Sequence, residues 1–362
     1  MSGAPAPFDP RVPYNALPPL PPAGEIETRA VLKAVIRAQE ALAELNTACR
    51  LIPNPSILTA TIPLREAQAS SEIENVFTTN DELFKAAWKV DNQPTPATKE
   101  ALRYNDALYT ATQDLEELPV SEKLAVRVCT VLQGSHAQVR STPGTFIGSS
   151  SSEGPVYTPP EGKQVIEQHL SAWERYLYSK HNLHPVVLMA LAHYQFEAIH
   201  PFYDGNGRTG RILNIALLMQ QGALRLPVLY LSGEIVAQKS EYYRLLNAVT
   251  RDGAWEEWIL FMVGCVENAA RHALQLIDAI TSVQHSMEDE VRGAGIAPAK
   301  ELAELLVSNP YLRISDVVEA GLAQRQTAAK WLKQLADKGA VDSVQLGREK
   351  IFINPRILQA LS

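Results

Sequence analysis

Cysteine is scarce in this 362-residue chain: Cys49, Cys129 and Cys265 are scattered, and none sits in a C-x-x-C spacing. That argues against a disulfide framework or a cysteine zinc site and for reduced thiols in the core. Net positive charge is missing too. A formal charge of -7 speaks against a generally nucleic-acid-binding surface and leaves room only for a local basic patch. No apolar run approaches the ~18 residues needed to span a bilayer, and no basic segment followed by an apolar one opens the chain. A cytoplasmic protein without membrane contact is expected. The phosphate-loop pattern G-x-x-x-x-G-K-[ST] is also absent. What remains is an ordinary globular composition, 46% hydrophobic, in a chain long enough for two or three domains.

Against that plain background, residues 200–211 read HPFYDGNGRTGR and concentrate more chemistry than a folding signal needs. Gly205 and Gly207 can take positive φ and let backbone N–H groups converge on an anion. The apolar run over 212–219 then begins a helix whose positive end faces that loop. Arg208 and Arg211 lie three apart, on one helical face, and can clamp a polyphosphate through planar donor forks. Asp204 offers a hard oxygen to the magnesium that accompanies nucleotide phosphates. His200 titrates near neutral pH and can act as a general base. GNGRTG also satisfies the dinucleotide pattern G-x-G-x-x-G, but that pattern needs a preceding strand. Residues 185–199 are too long and too rich in Leu, Met and Ala for one, although HYQFEAI does alternate. A glycine turn between helices explains GNG alone, not His, Asp and two Arg together.

The twelve residues resemble, without a departure, the Fic signature H-x-F-x-[DE]-G-N-G-R-x-x-R of proteins that transfer AMP from ATP to protein hydroxyls. They differ from the related Doc kinases, whose motif has lysine where Gly207 stands. The resemblance implies His200 as the base, Asp204 as the Mg2+ ligand and Phe202 as a core anchor. It implies an anion hole from Gly205, Asn206, Gly207 and Arg208, with Thr209 and Gly210 in the same nucleotide-binding stretch and Arg211 on the γ-phosphate.

Upstream, residues 64–75 read as a helix with Pro63 in its first turn, on which Ser70 and Glu74 share a face. By itself Glu74 is a solvated helix residue. Beside the signature, Ser70-Ser71-Glu72-Ile73-Glu74-Asn75 resembles the inhibitory motif [ST]-x-x-x-E-[GN] of Fic proteins, with Ser70, Glu74 and Asn75 in its specified places. Glu72 is off the motif. The resemblance implies that Glu74 pairs with Arg211 and keeps the ATP γ-phosphate from its productive pose. A carboxylate and a phosphate compete for one guanidinium.

The segment 140–160 reads as two short strands joined by a flexible serine-rich turn. In position it resembles the Fic flap, which aligns a target segment by main-chain hydrogen bonds, with Thr145, Phe146, Ile147 and Gly148 as its nucleotide-side strand. His193 reads as a core or boundary histidine. Residues 230–234 read as a short turn and 238–250 as a helix, and in the resembling proteins a tyrosine of the pair Tyr242 and Tyr243 lines the adenine and ribose pocket. A proline-rich arm opens the chain, and we expect Tyr14, Leu17 and Leu20 to pack on their own domain rather than on an SH3-like partner.

Past a hinge at 293–298, three helical segments and a hairpin over 341–353 suggest a winged helix. Arg325, Lys330, Lys333, Lys338, Arg348 and Lys350 can meet DNA phosphates, diluted by Asp337, Asp342 and Glu349; a partner or homodimer module is the alternative. The expectation is therefore a mainly α protein: an N-terminal arm and inhibitory region over 1–95, a Fic helical core with a β-hairpin flap over 96–292, and a winged-helix domain over 293–362. The function implied is AMP transfer from ATP, with Mg2+, to Ser, Thr or Tyr of proteins, including itself, restrained by Glu74. The rival is a nucleotide-sensing transcription regulator that binds DNA through its tail.

Overall fold

The computed structural model describes residues 8–52, 55–90, 93–113, 115–148, 154–346 and 349–361, and it is mainly helical. In chain order come α1 (Arg29–Leu51), α2 (Ser56–Ile73), α3 (Asn80–Ala87), α4 (Pro96–Gln113), α5 (Glu122–Gln133), β1 (Ile147–Gly148), β2 (Pro155–Tyr157) and α6 (Lys163–Leu177). Next are α7 (Pro185–Ile199), α8 (Asn206–Gln220), α9 (Leu231–Ala237), α10 (Lys239–Asp252) and the long α11 (Trp255–Gly293). The C-terminal part adds α12 (Ala299–Ser308), β3 (Tyr311–Arg313), α13 (Ile314–Glu319), α14 (Arg325–Asp337), β4 (Asp342–Leu346), β5 (Glu349–Ile353) and α15 (Pro355–Ala360). No described helix is long and apolar enough to cross a membrane.

Helix α7 is apolar on every side, so it can only be interior; Val186, Leu188, Leu191 and Phe196 are all buried. It starts on Pro185, whose fixed φ suits a first turn. Helix α8 is buried nearly as completely, and α7 packs against α6, α8 and α11 while α4 and α5 cover α8. Helix α1 lies along α11 and closes the outer layer. The loop from 200 to 205 therefore runs between the two most buried helices. His200 ends α7 in the left-handed region at φ 50, which turns the chain sharply back into α8.

Several elements depart from the sequence reading. Helix α2 begins at Ser56, so Pro63 sits in its interior rather than its first turn. The missing N–H is tolerated where Ile57, Leu58, Ile62 and Leu64 bury the helix, because packing offsets propensity. Helix α3 was not read, although Thr79 and Glu82 form its reciprocal capping box. Residues 231–237 are helical, not a turn. The flap strands are only two and three residues long, paired antiparallel with Ile147 opposite Tyr157; Thr145 and Phe146 precede the strand, and 149–153 of the serine run lie outside the described residues.

The proline-rich arm packs on its own chain as expected. Leu17 is buried, and Tyr14 meets the Tyr157 ring edge-on at 6.3 Å. Thr158 O accepts from Tyr14 N, and Gln195 donates to Pro18 O. The arm thus braces the strand that carries Tyr157.

In the C-terminal part β3, β5 and β4 form one antiparallel sheet in that order, beside a small core of Leu302, Leu306, Val317, Leu332 and Phe352. Gly347 and Arg348 lie outside the described residues. The sequence reading missed β3 and α15, the two elements that seat this part on the body. Tyr311 donates to Asp81 at 3.3 Å, Arg313 donates to the carbonyls of Trp88 and Lys89, and Arg356 grips Glu290 through two bonds of 2.7 and 2.8 Å. Ile357 is fully buried in the main core. Ile357→Ala should therefore lower the unfolding free energy of the whole chain by about 2–5 kcal/mol in urea titration; an unchanged midpoint for the main transition would show that α15 is not part of that core.

Candidate active site

Gly205 is the N-cap of α8, at φ 78, a conformation that glycine adopts without strain. It has no side chain to satisfy the first N–H groups of α8, so these point outward as donors at the positive end of the helix. Asn206 locks the loop from inside: Phe202 N donates to its Oδ1, and its Nδ2 donates to Phe202 O, both at 2.8 Å. Phe202 is buried as an anchor. Asp204 sits on the outer side of the turn. Its side chain is 77% exposed, Oδ1 accepts from Gly205 N at 2.7 Å, and Oδ2 lies 3.6 Å from Arg208 Nη2.

The two arginines face different ways. Arg208 is held by Glu100, so it meets the anion site chiefly through its backbone. Arg211 is buried and aimed at the end of α2. Its Nε donates to Ser70 Oγ at 2.8 Å, and its Nη2 donates to Ser70 O at 3.0 Å and to Glu74 Oε1 at 2.9 Å. Residues 137 apart in sequence thus meet in one ion pair. Burial alone would raise the Glu74 pKa, but the charge and hydrogen bond of Arg211 bring it below the usual carboxylate range.

Glu74 can reach because α2 stops there. It is the C-cap of the helix; Asn75 follows at φ 61, with its N–H donating to Glu72 O and Val76 N–H donating to Ser71 O. This is the Schellman pattern, whose left-handed position only glycine or asparagine fills readily. Gly207 faces the pair: an ideally placed Cβ there would stand 2.4 Å from Glu74 Oε1. A side chain at 207 would force the Glu74 carboxylate to shift from this position. Gly210, one turn on, gives the same close approach to Glu197.

Glu74, Ile147, His200, Gly207, Arg211, Tyr242 and Tyr243 line one cleft of about 170 Å³. Tyr242 is buried and Tyr243 is 42% exposed. Asn206, Arg208, Thr209 and Gly210 are buried behind that wall, and Gly205 forms its end. Thr145 is half-buried, Phe146 and Gly148 are exposed, and none of the three lines the cleft. His200 has an unpartnered, buried Nδ1, and its carbonyl accepts from Arg140 Nε at 2.7 Å. Burial, then the nearby Arg140 charge, push the His200 pKa down to about 4, so the ring is neutral at physiological pH and free to accept a proton. His193 shares a 2.8 Å hydrogen bond with the Tyr242 hydroxyl and stacks on Trp258, which makes it a core histidine.

Sequence reasoning missed eight further cleft residues, among them Tyr157, Glu197, Asn247 and Thr250. Asn247 was within reach, being one helical turn beyond Tyr243 on the same face. Glu197, one turn before His200, has a buried unpartnered Oε1 and a pKa raised by burial to about 7. Glu66 is likewise buried and raised to about 7; it accepts from Ser232 N and Oγ and from the Tyr104 hydroxyl, pinning α2 to α9. Among the described residues no group of three or more His, Cys, Asp or Glu forms a metal cluster. A single exposed carboxylate such as Asp204 does fit Mg2+, which takes most of its remaining ligands from phosphates and water.

Comparison with known proteins followed the same lines. Residues 32–113 match the sequence profile of the Fic/DOC family N-terminal region, 123–218 that of the Fic/DOC family, and 296–357 that of the protein adenylyltransferase SoFic-like C-terminal domain. Protein adenylyltransferase Fic of Drosophila melanogaster is 38% identical over 110 residues, 30% of this chain and 21% of the relative. That of Drosophila persimilis is 32% identical over 151 residues, 40% and 28% respectively. The chain thus spans only about a fifth to a quarter of the length of these curated relatives. Among solved structures, a Fic family protein from Desulfovibrio desulfuricans G20 shares the fold with a TM-score of 0.60 at 20% identity, covering 92% of this chain and 98% of that one. Fic-1 from C. elegans (residues 134–508) gives 0.52 at 18% identity, covering 67% and 72%. With its two Fic/DOC matches, the fold it shares with Fic proteins and the signature loop set at the N-terminus of α8, the chain belongs to the Fic/DOC family and carries a SoFic-like C-terminal domain.

Proposed function

We propose that this protein transfers AMP from ATP to a Ser, Thr or Tyr hydroxyl of a protein, itself included, and that Glu74 restrains the transfer. The reading is carried by one convergence: a neutral imidazole, a helix N-terminus and a guanidinium already engaged by a carboxylate share the wall of one cleft. The names of the Drosophila relatives support AMP transfer to protein in general.

In this mechanism the phosphates of ATP lie on the N–H groups at the start of α8. Magnesium, held by Asp204 and the phosphates, would supply charge neutralisation. His200 takes the proton of the target hydroxyl, the hydroxyl oxygen bonds to the α-phosphorus, and pyrophosphate leaves with the electron pair of the broken P–O bond. The exposed edge beside β1 pairs with the target backbone and leaves side-chain selection weak. While Glu74 holds Arg211, the γ-phosphate is denied that guanidinium and the α-phosphorus is not aligned.

A second reading belongs to the C-terminal domain, whose helices and hairpin follow a winged-helix order. Residues 296–362 hold nine Lys and Arg against seven Asp and Glu, a net +2, while the rest of the chain carries -9. At the start of α14, Gln324, Arg325, Gln326 and Thr327 are all exposed, and neither Arg325 nor Lys330 has an ion-pair partner among the described residues. Such a face suits a DNA groove better than Lys333, which is paired with Asp337.

Four outcomes are expected. His200→Ala should abolish AMP incorporation, measured by mass spectrometry, yet keep ATP binding; full activity would remove His200 from the mechanism. Glu74→Gly should raise incorporation by roughly 10- to 100-fold, the equivalent of a charged hydrogen bond, while Glu72→Gly does not. Equal rates in the wild type and both variants would make the α2 terminus an ordinary surface turn. In the Glu74→Gly protein, kcat/KM should fall only as pH drops below about 4, not through 6.5, because loss of Glu74 removes a charge that raises the His200 pKa. For the C-terminal domain, the full chain should bind duplex DNA with affinity that falls steeply with salt, and Arg325→Ala with Lys330→Ala should weaken it; no binding at low salt favours a partner or dimer module.

A further inference from the structure

We propose that Lys239 is a latch that holds the end of α2, and with it Glu74, against Arg211; the inference rests on the autoinhibitory reading above. Lys239 opens α10, and its Nζ donates to Asn75 Oδ1 at 3.0 Å and lies 3.5 Å from Glu72 O. Both acceptors belong to the Schellman turn that presents Glu74.

The placement is informative because it is wrong for α10. A cation in the first turn opposes the dipole of its own helix, while the same charge at the C-terminal carbonyls of α2 is favourable. Lys239 therefore serves α2, not α10. Asn75 has no other side-chain hydrogen-bond partner among the described residues, and Glu72 is already occupied by Gln68 at 2.9 Å. Besides Arg211, which takes the Glu74 carboxylate and the Ser70 carbonyl, Lys239 is the cation from a neighbouring helix that reaches this turn among the described residues. Asn75 thus has two separate duties. Its backbone supplies the left-handed cap, and its side chain is the point at which a second helix takes hold. That second helix bears Tyr242 and Tyr243, so the latch ties the inhibitory turn to a wall of the nucleotide cleft.

Lys239 touches none of the reacting groups, so it is a positioning residue that acts through Glu74. The test is AMP incorporation at fixed ATP for the wild type, Lys239→Ala, Lys239→Arg, Glu74→Gly and the double variant Glu74→Gly/Lys239→Ala. Lys239→Ala should raise the rate roughly three- to tenfold, the weight of one exposed charge-assisted contact with a helix terminus. Lys239→Arg, which keeps the donor, should stay near the wild type. In the Glu74→Gly background Lys239→Ala should change nothing, since the carboxylate it steadies is gone. If Glu74→Gly is activated and Lys239→Ala is not, the latch is refuted and autoinhibition stands. Should Lys239→Ala shift the rate equally in both backgrounds, it acts on α10 and the nucleotide wall, and the latch is again refuted. If Glu74→Gly itself is not activated, the failure lies with the autoinhibitory reading on which the latch depends.

Discussion

A fully buried guanidinium needs an anion, and Arg211 is the group around which the rest of the cleft is arranged. Burying an unpaired charge costs several kcal/mol even after relaxation, so the side chain is stable in this position only while something negative faces it. Ser70 supplies two neutral acceptors, and Glu74 supplies the charge. On the proposed reading a phosphate that binds Arg211 replaces that carboxylate rather than joining it, since two anions on one donor edge repel. The glycines at 207 and 210 follow from the same constraint. Each stands where a Cβ would collide with a carboxylate that faces Arg211 or its neighbours.

The surrounding acids fit this picture. Glu66 and Glu197 are buried within the field of Arg211, and burial raises both to about 7. Burial thus favours the protonated form of both, which limits the negative charge around Arg211 and leaves Glu74, held below the usual carboxylate range, as its dominant counter-ion. Glu66 has a mechanical part as well. By binding the start of α9 it fixes the middle of α2, so the helix is held at its centre by a buried carboxyl and at its end by Lys239.

The signature loop was legible in the sequence because its residues are contiguous: glycine geometry, a helix start and titratable side chains all fall within one turn of chain. Long helices such as α7 and α11 were legible from their length. The C-terminal order of helices and hairpin could be read, whereas β3 and α15 could not, since three and six residues carry too little periodicity and owe their form to docking on Trp88, Lys89 and Glu290. Pro63 misled because its local preference for a first turn is overridden by the burial of Ile57, Leu58 and Ile62 around it. Glu74 was placed on a helix face and lies instead on its cap, where the Schellman turn, invisible to helical periodicity, aims it at Arg211. Lys239 gave no signal, as it differs from any surface lysine only in what it touches.

Competition between Glu74 and a γ-phosphate for Arg211 can be measured without any transfer reaction. Calorimetric titration of ATP and of ADP into the wild type and into Glu74→Gly compares nucleotides that differ only in the group Arg211 is said to bind. The wild type should bind the two with similar affinity, and Glu74→Gly should prefer ATP by roughly tenfold or more, the size of one charge-assisted contact. The same ATP-to-ADP ratio in both proteins would mean that Glu74 does not stand between Arg211 and the nucleotide.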